Sequence, residues 1–414
     1  MQTSVAAVLA SAAPDRPVVY SDTARDLIAD TPSISPDVTN LDVFRAFKAD
    51  VALVSLPVVE GGRPVGLINR HIFMEEFARP FVRELYQHKS CIAFMDKRPL
   101  IVDEDTTMQA LSGAILDFGD KVLSDGFVIA SGGLYRGMGR AQDVLAAISR
   151  MQEEKSRIVM ESIDYGRVIQ RSISRASRET LAASLPEHFL LWEPRDTVSG
   201  DLYHVREFDD GILVILFDCT GHGVPGAFMT LIMSAFMQGA INADSARDPG
   251  GLLADIHRRV KTAMSQHDDE FDIHHADDGM DAAVCWIERD TRRLTYAGAH
   301  MSAFVLSPTD EDFAIIDGDR EGVGYATVSM AQRWTNHSVD LAPGTAVYLF
   351  TDGIFDQLGG EKRIAFGKRR TRKCLLRLRD AQMPVQARAL MAELVEYQGD
   401  EPRKDDVSAL AFRI

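Results

Sequence analysis

Apolar residues from about position 185 onward fall into short blocks typical of strands, and three longer blocks show helical spacing. The strand-like blocks are His188–Trp192, Asp201–Glu207, Ile212–Phe217, Asp281–Glu288, Arg293–Tyr296, Phe304–Ser307, Thr345–Phe350 and Val407–Arg413. The helical blocks are Pro225–Ile241, Gly250–Ser265 and Pro384–Glu396. Strands in sequential blocks around grouped helices predict two packed sheets with helices outside, rather than one doubly wound parallel sheet.

The run Ile212–Phe217 has the length of a strand buried on both faces, and it ends at Asp218. The chain then turns through Gly221 and Gly223, and Pro225 is placed to open the next helix. A carboxylate at the end of a buried strand, beside a glycine turn, is rigidly held and open to close approach. This position suits a metal ligand.

Three other places put an acid at the edge of a strand-like block. Asp201 opens one such block, Asp352 follows the run Ala346–Phe350, and Asp405 and Asp406 precede the last block. A single aspartate of this kind is as often a turn residue. Because four places share the pattern, the sequence predicts one oxygen-ligand site for a hard divalent ion, Mg²⁺ or Mn²⁺.

Taken in order, these segments resemble the metal-dependent protein phosphatases of the 2C type. The branch they resemble is the bacterial one typified by stage II sporulation protein E. The resemblance covers about Leu185 to Ile414 and implies an α/β fold, a four-layer α-β-β-α sandwich. It rests on Gly200-Asp201, Asp218-x-x-GHG-x-PGAFM, Leu294-TYAGA-His300, Thr351-Asp352-Gly353 and Asp405-Asp406-VSAL.

The resemblance also implies two Mn²⁺ or Mg²⁺ ions and a role for each acid. Asp218 would bridge both ions, and the backbone carbonyl of Cys219 would bind the second. Asp352 and Asp405 would hold the first ion, and Asp201 would act on the second, directly or through water. A water between the ions would attack phosphorus without a covalent enzyme intermediate.

Other residues near these motifs allow two interpretations each. Asp406 is a lesser metal candidate, because it could instead shape the turn. His222 stands four residues after the central aspartate, whereas eukaryotic relatives have a histidine two after. The general-acid role is therefore not carried over to His222, and a turn residue is favoured. Arg195 could clamp a phosphate or be a solvated charge. Asp278 and Asp281 could serve an additional ion, but an ordinary acidic loop is favoured.

Residues Val18 to Ile148 contain a small α/β module twice. Leu56–Ile68 and Gly126–Met138 each read as strand, Gly-Gly turn and strand, with helices expected over His71–Leu85 and from Ala141. The repeat resembles a pair of cystathionine-β-synthase (CBS) domains. Some such pairs bind adenine nucleotides between the copies and others serve only in dimerisation. No residue here decides between a nucleotide ligand and plain scaffolding.

The stretch from Ala141 to Ser177 is rich in helix formers and free of proline. Val144, Met151, Ile158 and Tyr165 recur every seven residues, as one seam of a coiled coil would. The alternatives are an amphipathic helix packed on its neighbours and a dimeric signalling helix, which the resemblance favours. The predicted domains are a CBS-like pair at 1–140, a helical linker at 141–184 and a phosphatase domain at 185–414.

Composition limits the partners and the compartment. The net charge of −16 argues against nucleic acid or an anionic membrane as the main partner. The four cysteines show no metal or disulfide spacing, which fits the cytoplasm. No apolar run approaches the ~18 residues of a membrane span. The basic run Lys368–Lys373 predicts a docking face or a solvated helix start.

The sequence therefore predicts a serine/threonine protein phosphatase with an N-terminal regulatory module, acting as a homodimer. By resemblance, its substrate is a phosphorylated partner-switching protein such as an anti-sigma-factor antagonist. One alternative is a catalytically silent domain that binds the partner and transmits state. Another is a phosphohydrolase of small molecules.

Overall fold

The computed structural model describes residues 23–264 and 277–414. The chain divides into two compact units, and the division falls between Ile158 and Val159, inside one long helix. The C-terminal residue of the helix predicted over Gly250–Ser265, and most of the predicted acidic loop, lie outside the described residues.

The first unit has two small sheets and short helices. Its strands are β1 (Ser55–Glu60), β2 (Arg63–Asn69), β3 (Ile101–Asp103), β4 (Phe127–Ser131) and β5 (Leu134–Gly139). Its helices are α1 (Asn40–Ala49), α2 (Arg70–Phe77), α3 (Val82–Tyr86), α4 (Met108–Phe118) and α5 (Lys121–Asp125), with 3₁₀ turns at Ala24–Leu27 and Cys91–Phe94. β1 pairs with β2, and β4 lies between a parallel β3 and an antiparallel β5.

The two hairpins β1–β2 and β4–β5 share one geometry. Each turns through two glycines with positive φ, 56° and 80° at Gly61-Gly62 and 56° and 83° at Gly132-Gly133. Such values belong to the tight turns whose twist matches that of paired strands. Each hairpin also carries a register shift just before its turn, at Val58/Val59 and at Ile129/Ala130. Two copies of one module explain this match.

The helix expected over His71–Leu85 is two helices in the structure. α2 ends at Phe77 and α3 begins at Val82, with Pro80 between them. Proline lacks the N–H that a continuing helix needs, and Phe81 adopts a left-handed φ of 68°. The uninterrupted helix was therefore a wrong expectation, and the proline is its reason.

Helix α6 (Ala141–Ser184) is 44 residues long and passes from one unit into the other. Val144 is buried in the core of the first unit, and Met151 packs against that core. Residues 155–162 are exposed all round. Farther along, Gln170 and Leu181 are buried in the second unit. The heptad positions therefore have different surroundings along the helix. The first two, Val144 and Met151, already pack against residues of their own chain.

The second unit contains two five-stranded antiparallel sheets. The strands are β6 (His188–Glu193), β7 (Asp201–Phe208), β8 (Gly211–Cys219), β9 (Met280–Glu288), β10 (Arg293–Ala299), β11 (Ala303–Leu306), β12 (Ala314–Ile316), β13 (His337–Asp340), β14 (Ala346–Phe350) and β17 (Val407–Arg413), with a small hairpin of β15 (Leu358–Gly359) and β16 (Ile364–Ala365). The strand orders of the two sheets are β13-β10-β9-β8-β7 and β12-β11-β14-β17-β6. The helices are α7 (Gly223–Ala240), α8 (Ala243–Ala246), α9 (Pro249–Met264), α10 (Asp352–Asp356), α11 (Gly367–Arg377) and α12 (Met383–Gln398).

Three hydrophobic clusters lie between the four layers of helices and sheets, and β8 contributes residues to two of them. Its residues Leu213, Ile215 and Phe217 face a cluster shared with α7 and α9. The alternate residues, among them Val214 and Leu216, face a cluster shared with the second sheet. A third cluster joins the other face of the second sheet to α11 and α12. A strand buried on both faces needs apolar side chains at every position. The predicted α-β-β-α sandwich is confirmed.

Within the first unit, a buried hydrogen bond joins the C-terminal end of β2 to the C-terminal end of α5. Asn69 Nδ2 donates to Asp125 Oδ1 at 2.7 Å, and Asn69 Oδ1 accepts from the backbone N–H of Ile72 at the start of α2. Asn69→Ala should lower local stability by about 2–3 kcal/mol, because it removes a helix cap and leaves a buried carboxylate short of a partner. Hydrogen exchange of peptides from residues 55–139, measured in the intact chain, reports this loss.

Thr107→Ala is the matched control, since Thr107 caps α4 without joining β2 to α5. It should cost about 1 kcal/mol. Equal acceleration of exchange in the two variants would show that the bond between β2 and α5 contributes nothing.

Candidate active site

Three aspartates stand side by side across the first sheet. Asp201 on β7 is the cross-strand partner of Asp218 on β8, and Asp218 is the partner of Asp281 on β9. Directly paired residues project from the same face of a sheet. Solvent exposure increases along this row. Asp201 is buried, whereas the Asp281 side chain is 33% exposed. The row therefore opens to solvent at Asp281.

The second sheet supplies two further acids. Asp352 opens α10 directly after β14, and Asp405 lies just before β17. Burial raises the pKa of Asp218, and the charges of Asp201, Asp352 and Asp405 raise it further, so the four carboxylates form one electrostatic cluster. The structure brings together all four acids predicted to hold metal.

Hydroxyl groups tie Asp201 to the second sheet. Thr351 Oγ1 donates to Asp201 Oδ2 at 2.8 Å and accepts from the backbone N–H of Ser408 on β17 at 3.1 Å. On the other side, Trp192 Nε1 donates to the carbonyl of Asp201 at 2.9 Å. The most buried acid of the row, which lies on the first sheet, is thus held by groups of the second sheet.

Asp406 binds backbone. Its two carboxylate oxygens accept the N–H groups of Arg195 and Gly200, both at 2.6 Å, and the side chain is buried. A Cβ at Gly200 would lie 2.3 Å from the carbonyl oxygen of Gly221, so only glycine permits this approach of the two loops. These contacts favour a structural role for Asp406, which carries the loop before β7. Its ligand role stays a prediction.

Burial and mutual repulsion shape the protonation of the cluster. Burial raises the pKa of Asp201, and it raises that of Asp218 well above the ordinary value, with the charge of Asp201 adding to the effect. Burial and the charge of Asp405 raise the pKa of Asp352 to about 6. Lys404 offsets this shift in part while pairing with Asp356 at 2.8 Å. A bound cation would therefore reduce the electrostatic repulsion within the cluster.

The donor chemistry of the cluster fits a hard divalent ion. Among residues 23–264 and 277–414, no group of three or more His, Cys, Asp or Glu side chains is already arranged to hold a metal ion. Mg²⁺ does not require one, since it keeps several waters and is bound by one or two carboxylates. The Cys219 side chain packs in the hydrophobic cluster beneath α7, which leaves the backbone carbonyl as the donor at that position. We conclude that oxygen ligands alone face the cluster from these positions.

His222 and Arg195 form one unit at the mouth of the cluster. Arg195 Nη1 lies 2.6 Å from His222 Nε2 and donates to the carbonyl of Lys404 at 2.9 Å. Because arginine only donates, Nε2 accepts, and Nδ1 donates to Asp196 Oδ2 at 2.9 Å. His222 was expected to be a turn residue, and it does precede α7, but it also orients Arg195. The sequence signal was the adjacent Arg195-Asp196 pair.

Asp281 is engaged by two neighbours. Its Oδ1 accepts from His300 Nδ1 at 2.9 Å and from the Tyr325 hydroxyl at 3.3 Å. Burial raises the pKa of Asp281, and both contacts work against that rise. Asp278 lies three residues before it on the same approach to β9. We assign no ion to this pair.

The basic run Lys368–Lys373 lies on α11, and much of its charge is used within the unit. Lys368 lies over the Phe355 ring at 5.6 Å, Arg370 over the Tyr397 ring at 4.4 Å, and Arg372 pairs with Asp312. These contacts favour the solvated helix start among the predicted alternatives.

Comparisons with known proteins identify the family. A family model described as stage II sporulation protein E (SpoIIE) matches residues 209–414, and one described as CBS domain matches residues 24–79. The solved SiaA-PP2C domain of Pseudomonas aeruginosa is 38% identical, covers 63% of this chain and 98% of its own, and gives a TM-score of 0.56. The chain belongs to the SpoIIE family of PP2C-type phosphatases.

Other solved structures are less similar to this chain. The PP2C domain of SpoIIE from Bacillus subtilis, solved with a fragment of its regulatory domain, is 15% identical with a TM-score of 0.42, covering 55% of this chain and 63% of its own. The RsbU and RsbW domains of a Mycobacterium tuberculosis protein are 14% identical with a TM-score of 0.41, covering 55% and 60%. The search of curated proteins returned no match.

The SpoIIE-family chain thus carries a serine/threonine phosphatase domain of the PP2C type after a CBS domain. The CBS match covers residues 24–79, the hairpin at 127–139 turns with the same geometry, and a second CBS copy stays a prediction. Among the helices of residues 23–264 and 277–414, none combines the length and apolar character needed to cross a membrane.

The raised pKa of Asp352 predicts how pH affects the metal-free protein. Between its ordinary value of 3.8 and about 6, the folded chain keeps a proton on Asp352 that the unfolded chain has lost. Asp352 therefore contributes stability at low pH that is lost as pH rises through this window. Asp352→Asn should flatten the fall of the thermal midpoint, measured in EDTA from pH 4 to pH 7. Glu361→Gln, on an exposed turn, is the control, and identical slopes in wild type and Asp352→Asn would contradict the assignment.

Proposed function

We propose that this SpoIIE-family chain hydrolyses phosphoserine and phosphothreonine in proteins, with two Mn²⁺ or Mg²⁺ ions. The observation that carries the proposal is the convergence of Asp201, Asp218, Asp352 and Asp405 at the edges of both sheets. When bound, the ions would supply Lewis acidity and neutralise charge on the phosphoryl oxygens.

Each acid has a distinct place in this proposal. Asp218 stands in the middle of the cluster and would bind both ions. Asp352 and Asp405, from the second sheet, would hold the first ion. Asp201 and the carbonyl of Cys219 would serve the second, and the hydrogen bond from Thr351 fixes Asp201 in place. Because both sheets contribute, the centre requires the folded sandwich.

Arg195 would bind the phosphate. Its Nη1 is committed to His222 and to the carbonyl of Lys404, which orients the guanidinium at the mouth of the cluster. The remaining N–H groups of the planar guanidinium suit two phosphoryl oxygens. We infer that Asp196 and His222 position Arg195 and take no proton from the substrate.

The family supports a phosphorylated partner-switching protein as substrate, of the anti-sigma-factor antagonist type. Two alternatives predict different results. A silent partner-binding domain would need none of the acids, yet all four are present and clustered. A small-molecule phosphohydrolase would keep the same acids and differ in preferring a metabolite over any phosphoprotein.

The size of the cavity in the first unit favours a scaffolding role over nucleotide binding. A cavity of about 140 Å³ lies between its two copies, lined among others by Ser55, Asp125 and Arg140. Ligand pockets usually measure about 300–1,000 Å³. An adenine nucleotide would therefore need this cleft to widen.

Helix α6 reaches the centre through Gln170. Gln170 Nε2 donates to the carbonyl of Ser199 at 2.7 Å and to Thr230 Oγ1 at 2.9 Å, and its Oε1 accepts from the N–H of Ser199 at 3.1 Å. Ser199 Oγ in turn accepts from the N–H of Asp201 at 3.0 Å. We propose that two copies pair along the exposed middle of α6 and that this pairing regulates the centre through Gln170.

Turnover should require both a divalent ion and Asp218. Phosphate release from a phosphoserine peptide should be abolished by EDTA, and Asp218→Asn should lower kcat/KM by at least about a hundredfold, the upper end of what loss of a supporting group costs a metal site. Mn²⁺ should raise the thermal midpoint of the wild type more than that of the variant, because the variant has less charge to neutralise.

Asp340→Asn, on the exposed strand β13, is the control for charge removal and should leave turnover unchanged. Wild-type activity that is equal in EDTA and in Mn²⁺ would refute the proposal. A small phosphate ester turned over far above ~10⁴ M⁻¹s⁻¹, with phosphoproteins well below, would favour the metabolite alternative.

Charging α6 should weaken self-association and alter turnover. Tyr165 is 56% exposed and lies on the predicted seam, so Tyr165→Glu should shift the mass in solution from dimer to monomer. Turnover should change by about fivefold or more, the usual lower range of coupling between sites. Sedimentation and peptide turnover are measured beside Met160→Glu, a control on the same helix that is 50% exposed and lies off the seam. A dimer with wild-type turnover would show that α6 is a spacer.

A further inference from the structure

The open end of the aspartate row carries a histidine whose backbone is strained. His300 has a φ of 57°, in the left-handed region that few residues other than glycine adopt, although asparagine, aspartate and histidine do so more often than most. Its N–H donates to the carbonyl of Asp319 at 2.9 Å, which helps hold this conformation. Strain of this kind costs about 1–3 kcal/mol and concentrates at functional sites. The conformation therefore calls for a functional explanation.

The side chain of His300 is oriented by an acid of the row. Its Nδ1 lies 2.9 Å from Asp281 Oδ1, and because a carboxylate accepts, Nδ1 carries the proton and donates. The Tyr325 hydroxyl holds the same oxygen of Asp281. The imidazole is thus fixed in one orientation, and the negative charge of Asp281 would stabilise it when it is cationic.

The second ring nitrogen distinguishes His300 from His222. Both nitrogens of His222 are engaged, by Asp196 and by Arg195. His300 Nε2 has no hydrogen-bond partner among residues 23–264 and 277–414, and the side chain is 44% exposed. Of these two histidines at the site, only His300 has a nitrogen available to a bound substrate.

The proposed reaction needs a proton at this place. Hydrolysis of phosphoserine leaves a serine oxygen, a poor leaving group unless it is protonated as it departs. The serine belongs to a folded protein, so it must stay on the solvent side of the cluster. Asp281 and His300 stand at that side, next to Asp218 in the row.

Resting on the proposed function, we propose that His300 is the general acid that protonates the departing serine oxygen. A water oxygen forms the new bond to phosphorus, and the bond from phosphorus to the serine oxygen breaks. Its electron pair stays on that oxygen, which receives the proton from His300 Nε2. The water releases one proton to solvent, and the imidazole takes one back from solvent, so that serine and hydrogen phosphate are the products.

His300→Asn isolates this role. Asparagine tolerates a left-handed φ, and its side-chain amide can replace Nδ1–H as the donor to Asp281, whereas nothing replaces Nε2. With a phosphoserine peptide, kcat should fall by about 10²–10⁴-fold. With p-nitrophenyl phosphate, whose leaving group needs no proton, the fall should be at least tenfold smaller. His222→Asn is the matched control and should affect both substrates to a similar degree, since it disturbs phosphate binding.

A second variant and a second measurement complete the test. His300→Gly fits the φ of 57°, and added imidazole should restore peptide turnover at least in part. The rise in thermal midpoint with Mn²⁺ should match the wild type in both variants, which shows an intact cluster. Equal losses on the two substrates, or no loss on the peptide, would overturn the assignment while the proposed function stands. A wild type that turns over neither substrate in Mn²⁺ would refute the proposed function, and this inference with it.

Discussion

Electrostatic repulsion among four carboxylates is the constraint on which the second unit depends. Four carboxylates meet where the two sheets of the sandwich end, and among them Asp201 is buried and Asp218 is half-buried. Burying like charges together is unfavourable unless other groups or a cation compensate. The surrounding structure supplies part of this compensation through the Thr351 hydroxyl on Asp201. In the proposed function, divalent ions would supply the rest.

The hydrogen bonds that stabilise this cluster extend outward to the long helix. Ser199 lies between Gln170 and Asp201, so a displacement of α6 reaches an acid of the cluster through two hydrogen-bonded steps. Asp406 holds the other side of the same loop through the N–H of Gly200. A loop held from two sides by buried hydrogen bonds has few alternative positions, because breaking any one leaves a buried group without its partner. In the proposed regulation, this loop is the connection between α6 and the centre.

Two histidines near the cluster show how partners decide the role of a residue type. His222 is bound at both nitrogens and orients Arg195, whereas His300 is bound at one nitrogen and presents the other. Each is paired with an aspartate at 2.9 Å. The difference lies in what occupies Nε2, and the arginine at His222 leaves that ring no freedom to transfer a proton.

The sequence by itself determined the layers and the acids. Runs such as Ile212–Phe217 predict doubly buried strands because local periodicity records which faces are apolar, and the confirmed sandwich follows from that pattern. The acids at strand edges were also visible, because each stands beside its own strand. Only the tertiary structure decided the contacts of Asp406, the pairing of Asp281 with His300, and the division of the α6 seam between two surroundings. Those outcomes depend on the register between segments far apart in the chain, which no local pattern records.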